Sequence, residues 1–284
     1  MSDVYLNGEI LPLEKAQVSV LDRGFLFGDG VYEVIPVFHG YPLRLEEHLE
    51  RLSASLTAIH LPVEITVLEW HAIFDQLLSR NAGQHQALYI QISRGSYASR
   101  QHGFPAETRP TVFVMTMPLA PRITGSLDDV KGGTAITAPD QRWQRCDIKS
   151  TSLLGNVMHH QLALNSGATE AILVDAEGRV TEGSSSNVFI VRDETIITPP
   201  RSHKILSGIT RALVLELAVN DGAYRCEERD VSVDELKNAD EIWVTSSSKE
   251  MLPIIELNGI QVGKGEPGSV WRHVAGLYQT YKAG

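Results

Sequence analysis

Four segments of the chain combine residue types that could act on a small charged molecule. Residues 22–30 are rich in glycine, which permits positive φ and a close approach of a ligand to the backbone. Lys149 precedes three small hydroxyl residues, and a lysine amine becomes nucleophilic when burial or neighbouring cations lower its pKa. Glu182 stands just before the serines at 184–186, and residues 207–211 predict the start of a helix.

The hydroxyl residues do not fit a serine hydrolase. A nucleophile elbow needs glycine two places after the serine, and Ser185 is followed there by Asn187. The helix start could instead bind phosphate through its N–H groups, and Ser246 and Ser247 offer further donors after a predicted strand. Taken singly, these segments predict no more than a phosphate-binding enzyme, with ordinary turns and a solvated lysine as the alternative.

The chain is acidic, so a site that binds a small anion would have to concentrate its positive groups locally. The formal net charge is -10, so a nucleic-acid or anionic membrane surface is not expected. Cys146 and Cys226 show neither metal-ligand spacing nor a disulfide pattern. The amino terminus carries no targeting signal, and no apolar run is long enough to span a membrane. We therefore expect a cytoplasmic protein without a metal.

Strands and helices mix without a regular βαβ alternation, which predicts an α+β fold. The hydrophobic patterns predict strands at residues 31–38, 87–93, 111–115, 133–138, 171–175, 187–192 and 241–245. They predict helices at residues 45–59, 65–79, 153–164, 207–218 and 270–282. A serine cap is expected for the fourth helix, and a turn is expected at Glu177-Gly178. Asn7-Gly8 and Asn258-Gly259 are typical of tight hairpins.

Two domains are expected from the length and from one break in the pattern. Residues 119–127 hold proline and glycine with little periodicity and are interpreted as a linker. A small amino-terminal α/β domain would cover residues 1–118, and a larger domain carrying Lys149 would cover residues 128–284.

Read together and in order, these segments resemble the class IV (fold-type IV) pyridoxal-phosphate aminotransferases, and most closely the D-amino-acid transaminases among them. The matching motifs are D-R-G-x-x-x-G-D-G-V-Y-E at residues 22–33, R-C-D-I-K-S at 145–150, T-E-G-S-S-S-N-V-F at 181–189 and G-I-T-R at 208–211. The resemblance spans nearly the whole chain. It implies a two-domain α+β fold with the site between the domains and pyridoxal 5′-phosphate as cofactor.

The resemblance also implies roles for single residues. Lys149 matches the lysine that forms the Schiff base and moves the proton, and Glu182 matches the carboxylate that faces the pyridine nitrogen. Tyr32 matches a tyrosine near the cofactor oxygen and the substrate, and Arg51 matches the arginine that binds the phosphate. Further cofactor contacts are implied for Ser186, Ile209, Thr210, Ser246 and Ser247.

The substrate class is expected from Arg100 and His102, whose R-x-H spacing resembles the carboxylate trap of the D-amino-acid transaminases. Residues two apart in a strand-like backbone share a face, and the planar arginine fork matches a carboxylate. We expect a ping-pong reaction, with D-alanine, D-glutamate and D-aspartate as donors and 2-oxoglutarate or pyruvate as acceptors. The resemblance also implies a homodimer.

Three other functions remain open on the sequence alone. A branched-chain L-amino-acid transaminase would not need the R-x-H pair. An aminodeoxychorismate lyase would release pyruvate without an acceptor. A protein that only binds the cofactor would turn over no amino donor.

Overall fold

The computed structural model describes residues 2–81, 83–107 and 109–283, and the chain forms two compact units. The first unit contains the residues up to Ala120 together with Ile148–Leu153. The second contains Pro121–Asp147 and the residues from Leu154 onward. Strands and helices occur in both units, as the α+β prediction requires.

The first unit is built on an antiparallel sheet of six strands in the order β2-β1-β6-β5-β3-β4. The strands are β1 Asp3–Leu6, β2 Glu9–Pro12, β3 Gly30–Phe38, β4 Tyr41–Pro42, β5 His85–Ser93 and β6 Thr111–Pro118. The helices are α1 Arg23–Phe27, α2 Leu45–Ala58 and α3 Val67–Arg80, with a 3-10 turn at Leu13–Lys15. Asn7 and Gly8 have positive φ between β1 and β2, so the predicted hairpin is confirmed.

The core of the first unit lies between its sheet and the helices α2 and α3. The leucines that set the predicted helical stripe, Leu45, Leu49, Leu52 and Leu56, are all buried in this core. Full burial of one such side chain stabilises the fold by roughly 1.5–3 kcal/mol. The apolar pattern therefore fixes the face of α2 and, with it, the direction in which Arg51 projects.

Residues 149–151 run beside β3, which explains why they group with the first unit. The Tyr32 N–H donates to the Lys149 carbonyl, and the Thr151 N–H donates to the Gly30 carbonyl, both at 3.0 Å. The sequence predicts that Lys149 belongs to the carboxyl-terminal domain. The structure differs because main-chain pairing with β3 brings this short segment back to the amino-terminal sheet.

The second unit contains a mixed sheet of nine strands in the order β12-β11-β10-β13-β14-β7-β8-β9, with β15 paired to β14. The strands are β7 Gly133–Pro139, β8 Glu170–Val174, β9 Val180–Gly183, β10 Asn187–Arg192, β11 Thr195–Thr198, β12 Arg225–Glu228, β13 Glu241–Ser246, β14 Glu250–Leu257 and β15 Ile260–Gln261. Asn258 and Gly259 form the predicted hairpin turn between β14 and β15.

Four helices complete the second unit. They are α4 Leu154–Asn165, α5 Ile209–Asp221, α6 Val233–Lys237 and α7 Ser269–Ala283, with a 3-10 turn at Leu127–Asp129. The serine cap predicted for α5 is wrong, because Gly208 occupies the N-cap position and no side chain caps the helix. Within the described residues, no helix has the length and apolarity needed to cross a bilayer.

Candidate active site

Lys149 is anchored from two sides within the first unit. Its carbonyl accepts from Tyr32 on β3, and its N–H donates to Ser55 Oγ on α2 at 3.3 Å. Its side chain is half-buried, with Nζ 4.1 Å from the centre of the Tyr32 ring. The structure therefore brings together two residues that the sequence predicted for the site, and it holds the lysine amine over an aromatic face.

Arg51 is fixed by a buried carboxylate, that of Glu33, for which the sequence predicts no role. Its Nε donates to Glu33 Oε1 at 2.7 Å and its Nη2 to Glu33 Oε2 at 2.9 Å, while His48 Nδ1 lies 2.8 Å from the same carboxylate. Burial alone would raise the pKa of Glu33, but Arg51 and His48 hold it well below its usual range. Glu33 therefore orients the Arg51 guanidinium and balances its positive charge.

Glu182 lies on β9 in the second unit and is buried. Its carboxylate accepts from Arg142 Nη1, from Asn187 Nδ2 at 3.1 Å and from the Leu206 N–H at 2.9 Å. Burial raises the pKa of Glu182 to about 7, although Arg142 opposes the rise. Glu182 is therefore a carboxyl group that can be either charged or neutral near neutral pH.

Arg142 was not predicted as a site residue, yet it connects two acids. It donates to Asp140 through Nε at 3.0 Å and through Nη2 at 2.8 Å, besides its bond to Glu182. Asp140 also accepts from Thr181 Oγ1 at 2.7 Å. Because Asp140 shares the positive charge, Arg142 only partly offsets the burial of Glu182.

Ser186 points into the protein interior. Its hydroxyl donates to Glu170 Oε2 at 2.6 Å, and Lys249 Nζ pairs with the same oxygen. Lys249 also donates to Ser185 Oγ at 2.9 Å. Glu170 and Lys249 are both buried, so they form an ion pair beneath the turn at residues 184–186. The cofactor contact predicted for Ser186 stays a prediction.

Three features of the second unit suit a phosphate or another polar ligand. Helix α5 begins at Ile209, and Thr210 follows. The first backbone N–H groups of a helix have no hydrogen-bond acceptor within that helix. Thr245 Oγ1, opposite Asn187 in the sheet, is buried and has no hydrogen-bond partner among the described residues. Ser246 and Ser247 follow at the end of β13, where Ser246 Oγ accepts from the Lys249 N–H at 3.0 Å.

Arg100 and His102 both lie near one aromatic ring in the first unit. The Arg100 guanidinium carbon is 5.0 Å from the centre of the Phe27 ring, and the His102 ring centre is 5.3 Å from it. Both residues are exposed. The structure thus brings the R-x-H pair together, and its contact with a substrate carboxylate stays a prediction.

These residues fit a pyridoxal-phosphate cofactor. A half-buried amine could bind its aldehyde, a buried carboxyl group its ring nitrogen, and a helix start without a side-chain cap its phosphate. Within the described residues, no cluster of three or more His, Cys, Asp or Glu could hold a metal ion.

The sequence is similar to known aminotransferases over nearly all of its length. Residues 30–257 match the family described as amino-transferase class IV. The D-alanine aminotransferase of Bacillus licheniformis is 40% identical over 277 residues, which covers 98% of this chain and 96% of that protein.

Solved structures of related enzymes share the fold. The branched-chain amino acid aminotransferase of Escherichia coli superposes with a TM-score of 0.91 at 25% identity, covering 98% of this chain and 94% of that one. A hypothetical aminotransferase from Mycobacterium tuberculosis in a PLP-bound form gives a TM-score of 0.84 at 27% identity and covers 98% of each chain.

Proposed function

The chain belongs to the class IV aminotransferases, a family that uses pyridoxal 5′-phosphate, and we propose that it transfers amino groups from D-amino acids to 2-oxo acids. D-alanine, D-glutamate and D-aspartate are the proposed donors, and 2-oxoglutarate and pyruvate the proposed acceptors. The observation that carries the proposal is the half-buried Lys149 amine, held 4.1 Å from the Tyr32 ring centre.

The proposed chemistry depends on a proton that Lys149 moves. Pyridoxal 5′-phosphate, when bound, supplies a ring that accepts electrons and makes the proton on the substrate Cα acidic. Lys149 Nζ would hold the aldehyde carbon of the cofactor and, when free, would take the Cα proton of the substrate as a general base. Tyr32 limits the positions open to that amine, because its ring lies against Nζ.

We propose a cofactor contact for Glu182 and a separate one for Arg51. The carboxylate of Glu182 would keep the pyridine nitrogen protonated, and Arg142, Asn187 and the Leu206 N–H fix its orientation. Arg51, oriented by Glu33, would donate to the phosphate. The proposed phosphate donors in the second unit are Ile209, Thr210, Ser246 and Ser247.

The D-specificity rests on Arg100 and His102. Which face of the substrate meets Lys149 depends on where its carboxylate is anchored, so a fixed anchor selects one enantiomer. The proposal is supported by the proximity of both residues to the Phe27 ring and by 40% identity to a D-alanine aminotransferase. The branched-chain enzyme shares the fold at only 25% identity.

The two half-reactions with D- and L-alanine test this proposal directly. The purified yellow protein is mixed with each enantiomer without an acceptor, and the absorbance of the bound cofactor is followed. We expect the band to disappear with D-alanine only. A change with L-alanine alone would overturn the roles of Arg100 and His102. A band that neither enantiomer changes would refute the transaminase proposal and favour the lyase.

The proposed enzyme is a homodimer that acts in the cytoplasm on small amino and oxo acids. Nucleic acids and membranes are not proposed as partners, in keeping with the net charge of -10.

A further inference from the structure

The loop that carries Arg100 and His102 is held through its main chain by one buried arginine. Arg23 Nη1 donates to the Gln101 carbonyl at 2.6 Å and to the Gly103 carbonyl at 3.3 Å, and Nη2 donates to the His102 carbonyl at 3.1 Å. Three consecutive carbonyls of an exposed loop thus converge on one guanidinium that is itself buried.

The other edge of the Arg23 guanidinium is fixed by a carboxylate. Its Nε donates to Asp29 Oδ2 at 2.8 Å, and Arg94 Nε donates to the same oxygen at 2.9 Å. Burial would raise the pKa of Asp29, but Arg94 and Arg23 hold it below its usual range. Arg23 cannot turn away from the loop without leaving this carboxylate.

The side chains of the loop meet the same anchor. The centre of the Phe27 ring lies 4.8 Å from the Arg23 guanidinium carbon, and the same ring is near Arg100 and His102. Asp22 caps α1 by accepting from the Gly24 N–H, so the helix holds Arg23 and Phe27 in fixed directions. One short helix therefore sets both the backbone and the side chains of the R-x-H pair.

We propose that Arg23 is a positioning residue that shapes the 101–103 backbone so that Arg100 and His102 are ready to bind the substrate carboxylate. This inference rests on the proposed function, in which those two residues form the carboxylate trap. Preorganisation of this kind lowers the cost of ordering the loop when substrate binds. Arg23 touches neither the reacting atoms nor the substrate in this role.

The test is Arg23→Lys, which keeps a positive charge for Asp29 but cannot reach three carbonyls with a planar fork. We expect KM for both D-alanine and 2-oxoglutarate to rise about tenfold or more, because displaced binding groups lose substrate affinity. The kcat should stay within about twofold, since Lys149 is untouched. Trypsin should cleave after Arg100 faster in the variant, because a released loop opens more often.

A matched control is Arg272→Lys. Arg272 likewise donates to two carbonyls and one carboxylate, those of Pro267, Leu127 and Asp128, but in the second unit. Its replacement should change neither KM nor cleavage after Arg100. Arg23→Gln is the second variant should the lysine form fail to fold, and the same changes are expected.

A double-mutant cycle separates positioning from general destabilisation. If Arg23 acts through the trap, Arg23→Lys should change KM by less than about twofold in an Arg100→Ala background. An additive loss in the double variant, or an equal loss in Arg272→Lys, would overturn the proposal, as would wild-type KM and wild-type trypsin resistance in Arg23→Lys. Trypsin resistance does not depend on which enantiomer is the substrate. An enzyme specific for L-alanine would therefore refute the proposed function separately from the positioning role of Arg23.

Discussion

Arg142 is the neighbour that most favours the ionised form of Glu182. Burial raises the pKa of this carboxyl to about 7, and Arg142 is the main group that opposes the rise. The proposed role of Glu182 requires the ionised form. Activity should therefore be lost as pH falls through the pKa of Glu182, and any change that raises this pKa should move the acid limb of the pH profile upward.

Arg142→Gln tests this dependence. Without the arginine, burial is less opposed, so the pKa of Glu182 should rise above about 7 and kcat at neutral pH should fall by about tenfold or more. The loss should diminish as the pH is raised. The measurement is kcat as a function of pH, with Arg145→Gln as control, because Arg145 pairs with Asp147 at the surface. A uniform loss at every pH would contradict the explanation.

The motifs predicted the residues proposed to act on the cofactor but not those that support them. Lys149 and Glu182 stand in short recognisable patterns. Their supporting partners come from distant parts of the chain: Glu33 pairs with Arg51 across 18 positions, and Arg142 reaches Glu182 across 40. The spacing of residues within a short motif does not predict contacts between positions so far apart in the sequence. One sequence feature could have identified Glu33 as a supporting residue: it is a charged residue inside a predicted apolar strand.

At the level of secondary-structure elements, the long periodic segments were predictable and the short ones were not. Helices α2 and α7 and strands β3 and β5 lie close to their predicted bounds, because each has several turns or alternations of apolar residues. Strands β9, β11 and β12 have four residues each, which is too few for a period to be recognised. Glu182 lies on one of these, so the sequence interpreted its surroundings as a turn.

Two turns of the second unit are joined by the buried ion pair between Glu170 and Lys249. Glu170 accepts from Ser184 and Ser186 in one turn, while Lys249 belongs to the turn after β13. Burial would raise the pKa of Glu170, but Lys249 and the two hydroxyls hold it below its usual range. The pair therefore stabilises the fold above the unfolded pKa of Glu170, and this contribution is lost as pH falls.

Lys249→Met should destabilise the protein by about 3 kcal/mol or more, because it leaves a buried carboxylate without a counter-charge. The deficit should shrink at acidic pH, where Glu170 is protonated without cost. Denaturant unfolding at several pH values measures both effects. The control is Lys204→Met, whose partially exposed pairs with Asp175 and Glu177 should contribute less than about 1 kcal/mol. Adding Glu170→Gln to Lys249→Met should recover most of the loss, and failure to do so would refute the ion-pair explanation.

At the scale of the whole molecule, an exposed apolar face of helix α4 is the proposed contact surface of the homodimer. Leu154, Met158 and Leu162 follow one another at steps of four residues, Val157 lies three residues after Leu154, and each of the four is at least 46% exposed. His159 and Ala163, on the other face, are buried. A contiguous apolar stripe on a soluble protein marks an interaction surface, whereas isolated apolar residues do not. A second copy of the chain is the proposed partner of this stripe.

Replacing Val157 and Met158 with aspartate should therefore shift the protein from dimer to monomer, because two charges would have to be buried without partners. Light scattering after gel filtration gives the mass directly. Val219→Asp is the matched control: Val219 is 57% exposed on α5, outside the α4 stripe, and its replacement should leave the mass unchanged. A wild-type protein that stays monomeric would refute the homodimer itself, whereas a double variant that stays dimeric would show that another surface forms the interface. A monomeric variant that also loses its half-reaction with D-alanine would indicate that the partner chain completes the site, since neither substitution touches Lys149, Glu182 or Arg100.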